Sequence, residues 1–361
     1  MEVGIMGLPG AGKTTVFNAL AQQKAEVGSF GSGEAHRAVV HVPDERLWRL
    51  SAMFKPRKTT PAEVRYVDVA GQMSAGGETK AAALMGQLRN ADELIHVVRA
   101  FESDTFPHQK GSVDPLRDLR EMNAELALAD LGVVEKRVDR LNRELRMGKA
   151  APNNPLWREL ELMEQFKPAL EQGKAIRDFD LSESDVKLLR SYGFLTQKPM
   201  LVLLNTGDDV GEALPVVEQI RADLSGRRVV VDALAGRLEM ELGELAEEER
   251  AEFMADLGIA ELGLGRVIRL SYGLLDLISF FTVGEDECRA WTVHRDAPAV
   301  EAAGEIHSDI QRGFIRAEVV SYDDLIRVGG MAEARRAGVL RQEGKTYPVK
   351  DGDVIHFLFN V

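Results

Sequence analysis

Short apolar runs separated by amphipathic stretches recur along most of the chain. Six runs are predicted strands: Glu2–Met6, Ala38–Val42, Glu63–Val69, Leu94–Val98, Met200–Leu204 and Arg228–Val231. Helical stretches lie between most of them, beginning with Thr15–Gln22. Strands that alternate with helices predict an α/β fold with a doubly wound, mostly parallel sheet covered on both faces.

The stretch from Asp114 to Gly148 interrupts this rhythm. Its apolar residues recur every three to four positions with charges between them, and they are Leu116, Leu119, Met122, Leu126, Val134, Val138, Leu141 and Leu145. Pro152 and Pro155 mark a turn, after which Leu156, Leu160, Met163 and Phe166 begin a second amphipathic helix. Two such helices predict an antiparallel helical hairpin inserted into the sheet domain. The alternative is a pair of ordinary helices packed on the sheet.

The last third of the chain has a different texture. Four further strands are predicted, Phe280–Val283, Arg289–Val293, Phe314–Val320 and Val354–Phe359, and Asp351–Asp353 forms a tight turn before the last. They indicate a small mixed domain. The predicted organisation is therefore a parallel-sheet domain over residues 1–104 and 196–277, a helical insertion over 105–195 and a C-terminal domain over 278–361.

Composition narrows the classes of function. The chain has 361 residues, a formal net charge of −13 and a pI of about 5.2, and this acidity disfavours non-specific binding to nucleic acid. Its single cysteine, Cys288, cannot form an internal disulfide, which favours a reducing, cytoplasmic setting and a half-buried structural thiol. No apolar run approaches a membrane span, and a loop that begins at Gly7 leaves no room for a signal peptide.

The segment directly after the first predicted strand carries the most specific chemistry. Residues Gly7, Leu8, Pro9, Gly10, Ala11, Gly12, Lys13 and Thr14 match G-x-x-x-x-G-K-[ST], and Thr15 follows. The glycines allow backbone N–H groups to point at phosphate oxygens, and the following helix directs its positive end to the same place. We expect Lys13 to reach the β- and γ-phosphates and the Thr14 hydroxyl to ligate Mg²⁺.

A second element, Asp68–Gly71, ends the Glu63–Val69 strand. Carboxyl ends of parallel strands are where such sheets bind ligands, so we expect the Asp68 carboxylate to hold Mg²⁺ and the Gly71 N–H to meet the γ-phosphate. Gln72 follows, and a glutamine in this place orients the attacking water in Ras-like GTPases. A polar side chain in a surface loop is the alternative interpretation of Gln72.

A third element, Asn205–Asp208, follows the Met200–Leu204 strand. It resembles the guanine-reading pattern N-K-x-D, with Thr206 in place of the lysine. Asn205 and Asp208 therefore predict purine recognition without deciding which purine. Asp232 and Ala233 follow the Arg228–Val231 strand, in the place of the loop that usually backs the base.

With these residues in view, the chain resembles the YchF (Obg-like ATPase) family of P-loop NTPases over nearly its whole length. The resemblance rests on the P-loop with Phe17–Leu20 after it, Val42–Asp44, Asp68–Gly71, Ile95–Phe101, Arg289–Thr292, Gly313–Val319 and Lys350–Val354. It implies that the last of these runs form a TGS domain, a ubiquitin-like β-grasp fold. It also implies hydrolysis of ATP, often in preference to GTP, and association with ribosomes.

The resemblance is weaker in the two switch loops. Ser32, in the glycine-rich stretch Gly28–Glu34, aligns with the family's switch threonine and is a candidate Mg²⁺ ligand. The second switch, Gln72 to Lys80, is shorter than the family pattern, and Gln72 replaces a hydrophobic residue. Nucleotide binding is therefore a firmer expectation than the family's catalytic mechanism.

Three functions compete. The leading one is a slow NTPase that acts as a molecular switch, with Mg²⁺ as cofactor, ATP favoured over GTP and K⁺ as a further candidate ion. The second is a nucleotide-sensing adaptor that does not hydrolyse its ligand. Sequence-specific DNA binding is disfavoured because no helix-turn-helix or zinc-ligand spacing is evident, and Lys55–Lys58 is the one compact basic cluster.

Overall fold

The computed structural model describes residues 1–22, 27–28, 36–68, 85–146, 154–224, 228–259 and 261–360. Within them the chain forms two compact units. The first unit comprises residues 1–38 and 65–264, and the second comprises residues 39–64 and 265–361. Residues 39–64 therefore group with the C-terminal part of the chain although they lie between two strands of the N-terminal sheet.

The larger sheet contains seven strands in the order β2-β3-β5-β1-β6-β7-β8. Their bounds are β1 Glu2–Met6, β2 Val27–Gly28, β3 His36–His41, β5 Glu63–Asp68, β6 Glu93–Ala100, β7 Met200–Thr206 and β8 Val229–Leu234. Strands β5, β1, β6, β7 and β8 pair in parallel, whereas β2 pairs with β3 in the antiparallel sense. The predicted doubly wound, mostly parallel α/β sheet is confirmed.

Burial explains why the central strands read as continuous apolar runs. Strand β7 is buried at all seven positions and β6 at seven of eight, since helices cover both faces. The helices of the first unit are Lys13–Gln22 (α1), Pro115–Arg146, Pro155–Glu171, Glu183–Leu189, Leu214–Asp223, Gly236–Glu244 and Glu247–Asp256. Helix Gly263–Leu274 crosses the boundary between the units, and residues 85–90 are also helical.

The predicted helical pair is present. Asn154 caps the second helix by accepting from the Leu156 N–H, and Pro155 occupies its first turn. Arg137 pairs with Glu159, and Lys167 pairs with Glu135, which shows that the helices run antiparallel.

The apolar stripe of the long helix serves two cores, which the sequence pattern did not separate. Leu119, Met122 and Leu126 pack into the core of the large sheet. Val134 and Leu141 instead join Met163, Phe166 and Phe194 in a core of the helical pair. Both interpretations of this stretch therefore hold, each for one half of the helix.

The second unit is built on a six-stranded mixed sheet in the order β12-β11-β13-β9-β10-β4. Its strands are β4 Lys58–Thr60, β9 Leu277–Thr282, β10 Glu287–His294, β11 Phe314–Ser321, β12 Arg341–Glu343 and β13 Asp353–Phe359. Its helices are Glu45–Phe54, Ala299–Ile306, Ser308–Arg312, Tyr322–Val328 and Met331–Arg336. The antiparallel pair β9–β10, the helix after it and the parallel pairing of β13 with β9 agree with the predicted β-grasp fold.

Residues 39–64 complete this second unit. Strand β4 pairs in parallel with β10, and Thr60 donates a hydrogen bond to Glu287. The Arg46 guanidinium contacts Asp351 at 2.7 Å and lies over the Phe281 ring. The basic cluster at Lys55–Lys58 thus leads into strand β4.

Two smaller features complete the description. Cys288 is fully buried, at 0% exposure, rather than half-buried as expected, because it lies on β10 between β9 and β4, and burial raises the pKa of its thiol. None of the helices in the described ranges is both long and apolar enough to cross a membrane.

Candidate nucleotide site

The phosphate loop joins the central strand β1 to helix α1. Gly12 has φ +88°, and a Cβ added there would lie 2.1 Å from Asn205 Nδ2. A Cβ on Gly7 would lie 2.3 Å from the Val97 carbonyl oxygen. Gly7 also has a positive φ, +154°, so both positions require glycine for the backbone angle and for the close approach. Helix α1 begins at Lys13, two residues before the predicted start, so its N-terminal end faces this loop.

Lys13 is held at the loop by backbone oxygens. Its Nζ donates to the carbonyls of Gly7 and Leu8, each at 3.0 Å. Burial lowers the pKa of Lys13, and the nearby negative charge of Asp68 opposes this shift. A cation held in a partly buried place strengthens electrostatic contact with a phosphate.

Asp68 and Thr14 form the second part of the site. Register pairs Asp68 with Ile5, so the end of β5 lies beside the start of the loop. The Thr14 hydroxyl donates to Asp68 Oδ2 at 3.2 Å, while Asp68 Oδ1 is buried and has no protein partner among the described residues. Burial raises the pKa of Asp68, opposed by the Thr14 hydrogen bond and by Lys13.

These two oxygen donors fit a magnesium ion. An orphaned carboxylate oxygen next to a hydroxyl is a hard, anionic ligand set of the kind Mg²⁺ prefers, with phosphates and water filling the other positions. Among the described residues, no group of three or more His, Cys, Asp and Glu side chains could hold a metal ion. The magnesium ion at Thr14 and Asp68 would therefore need phosphate and water as its other ligands. The structure thus brings Thr14 and Asp68 together, as predicted.

Asn205 has a role that sequence reasoning missed. It is the penultimate residue of β7 rather than part of the loop after it. Its Nδ2 donates to the Ala11 carbonyl at 3.0 Å, and its Oδ1 accepts from the Gly236 N–H at 3.1 Å. One buried side chain therefore ties the phosphate loop to the start of helix Gly236–Glu244, whatever contact it also makes with a base.

The rest of the base-reading pattern runs from a buried threonine to an exposed aspartate. Thr206 ends β7 and its hydroxyl donates to the Gly207 carbonyl, whereas Asp208 lies on the surface. A cleft of about 270 Å³ lies beside them, and Phe101, Glu102, Val113, Thr206 and Gly207 contribute to its lining.

The predicted position of Asp232 and Ala233 needs correction. Both lie inside β8, paired with Leu203 and Leu204, rather than in a loop after the strand. Aspartate is disfavoured in strands, so the pattern ended β8 too early, and parallel pairing with β7 extends it. Ala235 and Gly236 follow the strand instead.

Ser32, Gly71 and Gln72 lie outside the described residues. Their predicted contributions, a metal ligand and two groups near the γ-phosphate, remain predictions.

Two residues on β6, His96 and Arg99, lie beside the phosphate loop, and neither of them was assigned a role from the sequence. Arg99 is buried, donates to the carbonyls of Phe101 and Phe106, and lies over the Phe101 ring at 4.6 Å. Burial, followed by the positive charges of Lys13 and Arg177, lowers the pKa of His96 to about 3, so His96 is neutral. In the sequence, Arg99 and His96 were marked only by their place in the run Ile95–Phe101, which contributes to the family resemblance.

Comparison with known proteins now bears on this geometry. Residues 2–136 match a family model described as 50S ribosome-binding GTPase, and residues 277–360 match the model YchF-GTPase_C, described as a protein of unknown function. The chain is 41% identical to "Ribosome-binding ATPase YchF" of Bacillus subtilis, with 100% of both chains covered. It belongs to the YchF family.

More distant relatives and solved structures agree. "Obg-like ATPase 1" of Oryza sativa subsp. japonica is 36% identical, covering 100% of this chain and 92% of the relative. The structure of the Schizosaccharomyces pombe YchF GTPase superposes with a TM-score of 0.87 at 30% identity, covering 99% of this chain and 97% of that one. YchF proteins are thus named both ATPase and GTPase. These names do not decide which base this chain prefers, which depends on the residues around Asn205 and Asp208.

Proposed function

We propose that this chain binds a purine nucleoside triphosphate with Mg²⁺ and hydrolyses it slowly, as a molecular switch that associates with ribosomes. The observation that carries the proposal is the convergence of Lys13, Thr14 and Asp68 on one glycine-lined loop. YchF-family membership and the relatives' names, which describe ribosome-binding ATPases, support the activity and the partner. ATP is the favoured nucleotide and GTP the alternative.

The residues divide the work of phosphoryl transfer. The loop amides of Gly7–Thr14 and the Lys13 ammonium stabilise negative charge on the transferring group, which is most of what such catalysis requires. Thr14 and Asp68 hold the magnesium ion, which when bound neutralises phosphate charge. Gly71 and Gln72 are proposed to contact the γ-phosphate and orient the attacking water, and Ser32 to add a metal ligand.

Base recognition is proposed to involve the end of β7. Asn205 positions the loop, Thr206 lines the cleft beside Phe101, and the exposed Asp208 follows two residues later. The start of helix Gly236–Glu244 replaces Asp232 and Ala233 as the backing element. An aspartate suits guanine, since it accepts from ring N–H groups, so a preference for ATP requires backbone contacts. Calorimetric titration with ATP and GTP in Mg²⁺ tests the preference.

Phosphate release by the purified chain tests hydrolysis. We expect Lys13→Ala to lower the rate by about 100-fold or more, because the ammonium that stabilises the transferring phosphoryl group is lost. Lys187→Ala, an exposed lysine on helix Glu183–Leu189, is the matched control and should leave the rate unchanged. Tight binding with no turnover, even with ribosomes present, would replace the switch by a non-hydrolysing adaptor. Repeating the assay in KCl and in NaCl tests the K⁺ requirement.

Ribosome association is tested separately. The full-length chain is sedimented with purified ribosomal subunits in the presence of ATP, ADP or no nucleotide. Co-sedimentation that depends on the nucleotide supports a switch. Absence of the chain from the pellet in every state would remove the ribosome from the proposal and leave hydrolysis untouched.

A further inference from the structure

The first unit contains a second cavity whose lining does not overlap the candidate nucleotide site. Its volume is about 430 Å³, and the long helix, the segment after helix Pro155–Glu171, and the starts of β7 and β8 surround it. Its lining residues are Asn123, Leu126, Gly173, Lys174, Ala175, Arg177, Asp178, Thr196, Met200, Asp223, Leu224 and Val229.

Arg177 is the unusual member of this lining. It is only 8% exposed, yet among the described residues its guanidinium has two hydrogen-bond partners, the Lys198 carbonyl at 2.9 Å and the Met200 sulfur at 4.0 Å. A guanidinium carries five N–H donors, and a thioether is a weak acceptor. Buried arginines are normally paired with a carboxylate, because an isolated buried charge is costly.

The carboxylates nearby do not supply that pair. Asp130 is buried, but it binds Arg89 at 2.8 Å and accepts from Leu195 and Thr196. Asp178 is exposed, and Asp223 at the rim pairs with Arg120 at 2.9 Å. No carboxylate in the described part of the chain lies within ion-pairing distance of Arg177. Burial correspondingly lowers the pKa of Arg177 to about 10, which leaves it charged at neutral pH.

The remaining lining adds one polar contact and an apolar wall. Asn123 Oδ1 is buried and has no hydrogen-bond partner among the described residues. Leu224 and Val229 are partly exposed and present apolar surface, whereas Leu126 and Met200 are almost fully buried, and Lys174 adds a second cation at the exposed edge. Such a lining favours a ligand with an apolar body, one acidic group and a hydrogen-bond donor.

We propose that this cavity binds a small organic anion, with its acidic group paired to Arg177, its donor facing Asn123 and its apolar body against Leu224 and Val229. The site is separate from the phosphate loop, because none of its lining residues belongs to the candidate nucleotide site. It would make the first unit a receptor for two ligands of different chemistry.

The probe for this site is 4-fluorophenylacetate, an aromatic ring that bears a carboxylate, observed by ¹⁹F NMR with the full-length chain. Its uncharged twin, 4-fluorophenylacetamide, reports the contribution of the negative charge. We expect the ¹⁹F resonance of the acid to broaden on binding, and we expect the amide to bind at least 10-fold more weakly. Equal binding of the two probes would overturn the pairing with Arg177.

Variants localise the binding. Arg177→Met keeps most of the side-chain volume. It should weaken binding of the acid at least 10-fold and leave binding of the amide unchanged. Ala175→Phe keeps Arg177 but fills the cavity, so it should exclude both probes even if Arg177→Met proves unstable. Retained binding in Ala175→Phe would refute the proposal. Arg335→Met alters a different cavity, in the second unit, and is the control that should change nothing.

Competition identifies the kind of anion. Hexanoate should displace the probe, whereas inorganic phosphate at the same concentration should displace it at least 10-fold less well, because it lacks an apolar body. Equal displacement by the two would show that the site selects charge alone and would overturn its assignment to organic anions.

Discussion

The two ends of the candidate nucleotide site differ in what builds them. The phosphate end consists of the loop backbone, two glycines at points of close approach, Lys13 and Thr14 at the start of helix α1, and Asp68 at the end of β5. The base end depends on the exposed Asp208, on the buried Thr206, and on Asn205, whose polar atoms already bind Ala11 and Gly236. The sheet therefore holds the phosphate end in place before a nucleotide binds. The base end depends instead on contacts that form with the nucleotide.

Asn205 couples the two ends. Because its side chain reaches the phosphate loop on one side and the helix after β8 on the other, a change at either end should be felt at the other. Variants can separate this coupling from direct contact with nucleotide.

The largest effect is expected from Gly12→Ala. The new Cβ would meet Asn205 Nδ2 at 2.1 Å in a backbone conformation that only glycine adopts easily, at φ +88°. The combined strain of about 3 kcal/mol should lower nucleotide affinity by roughly 100-fold and reduce thermal stability. Calorimetry and thermal denaturation measure both. Gly207→Ala at the base end is the control, since a Cβ there meets nothing within 4 Å, and similar losses in both variants would refute the comparison.

Asp68→Asn should give the next largest effect. Removing the charge from the buried carboxylate beside Thr14 should raise the Mg²⁺ concentration needed for half-maximal hydrolysis by roughly 10-fold or more. A magnesium titration of phosphate release measures this. Thr14→Ser keeps the hydroxyl and should stay near wild type. An unchanged magnesium requirement in Asp68→Asn would exclude Asp68 from the metal site.

Asn205→Ala should act on stability as well as binding. It leaves the Ala11 carbonyl and the Gly236 N–H buried without their partner, which costs about 1–3 kcal/mol. ATP and GTP should both lose affinity. Asn205→Asp still accepts from Gly236 but cannot donate to Ala11. In denaturant titrations its free energy of unfolding should lie between those of the wild type and Asn205→Ala. If Asn205→Ala kept full stability, the coupling between the ends would have no energetic basis.

Asp208→Ala should have the smallest effect on the fold. Its carboxylate is exposed, so the free energy of unfolding should change by less than about 0.5 kcal/mol. The ratio of ATP to GTP affinity should nevertheless move toward ATP, because a guanine-suited acceptor is lost. A constant ratio, measured by calorimetry beside the same titration of the wild type, would remove Asp208 from base recognition.

The same contrast explains what the sequence could predict. Each fixed position of the phosphate loop has a reason in phosphate binding itself, so Gly7, Gly12 and Lys13 could be assigned from the pattern alone. The role of Asn205 could not, since its partners lie 194 and 31 residues away. The end of β8 was misplaced because pairing with β7 overrides the low strand propensity of Asp232.

The grouping of residues 39–64 with the C-terminal sheet has a practical consequence for genetics. The second unit is discontinuous in the gene, because β4 and helix Glu45–Phe54 are encoded more than two hundred codons before the rest of it. A stop codon near residue 277 would leave β4 without β10 and Arg46 without Asp351. Truncation is thus a poor way to assign a task to the C-terminal part, and point substitutions on an intact chain are the cleaner instrument.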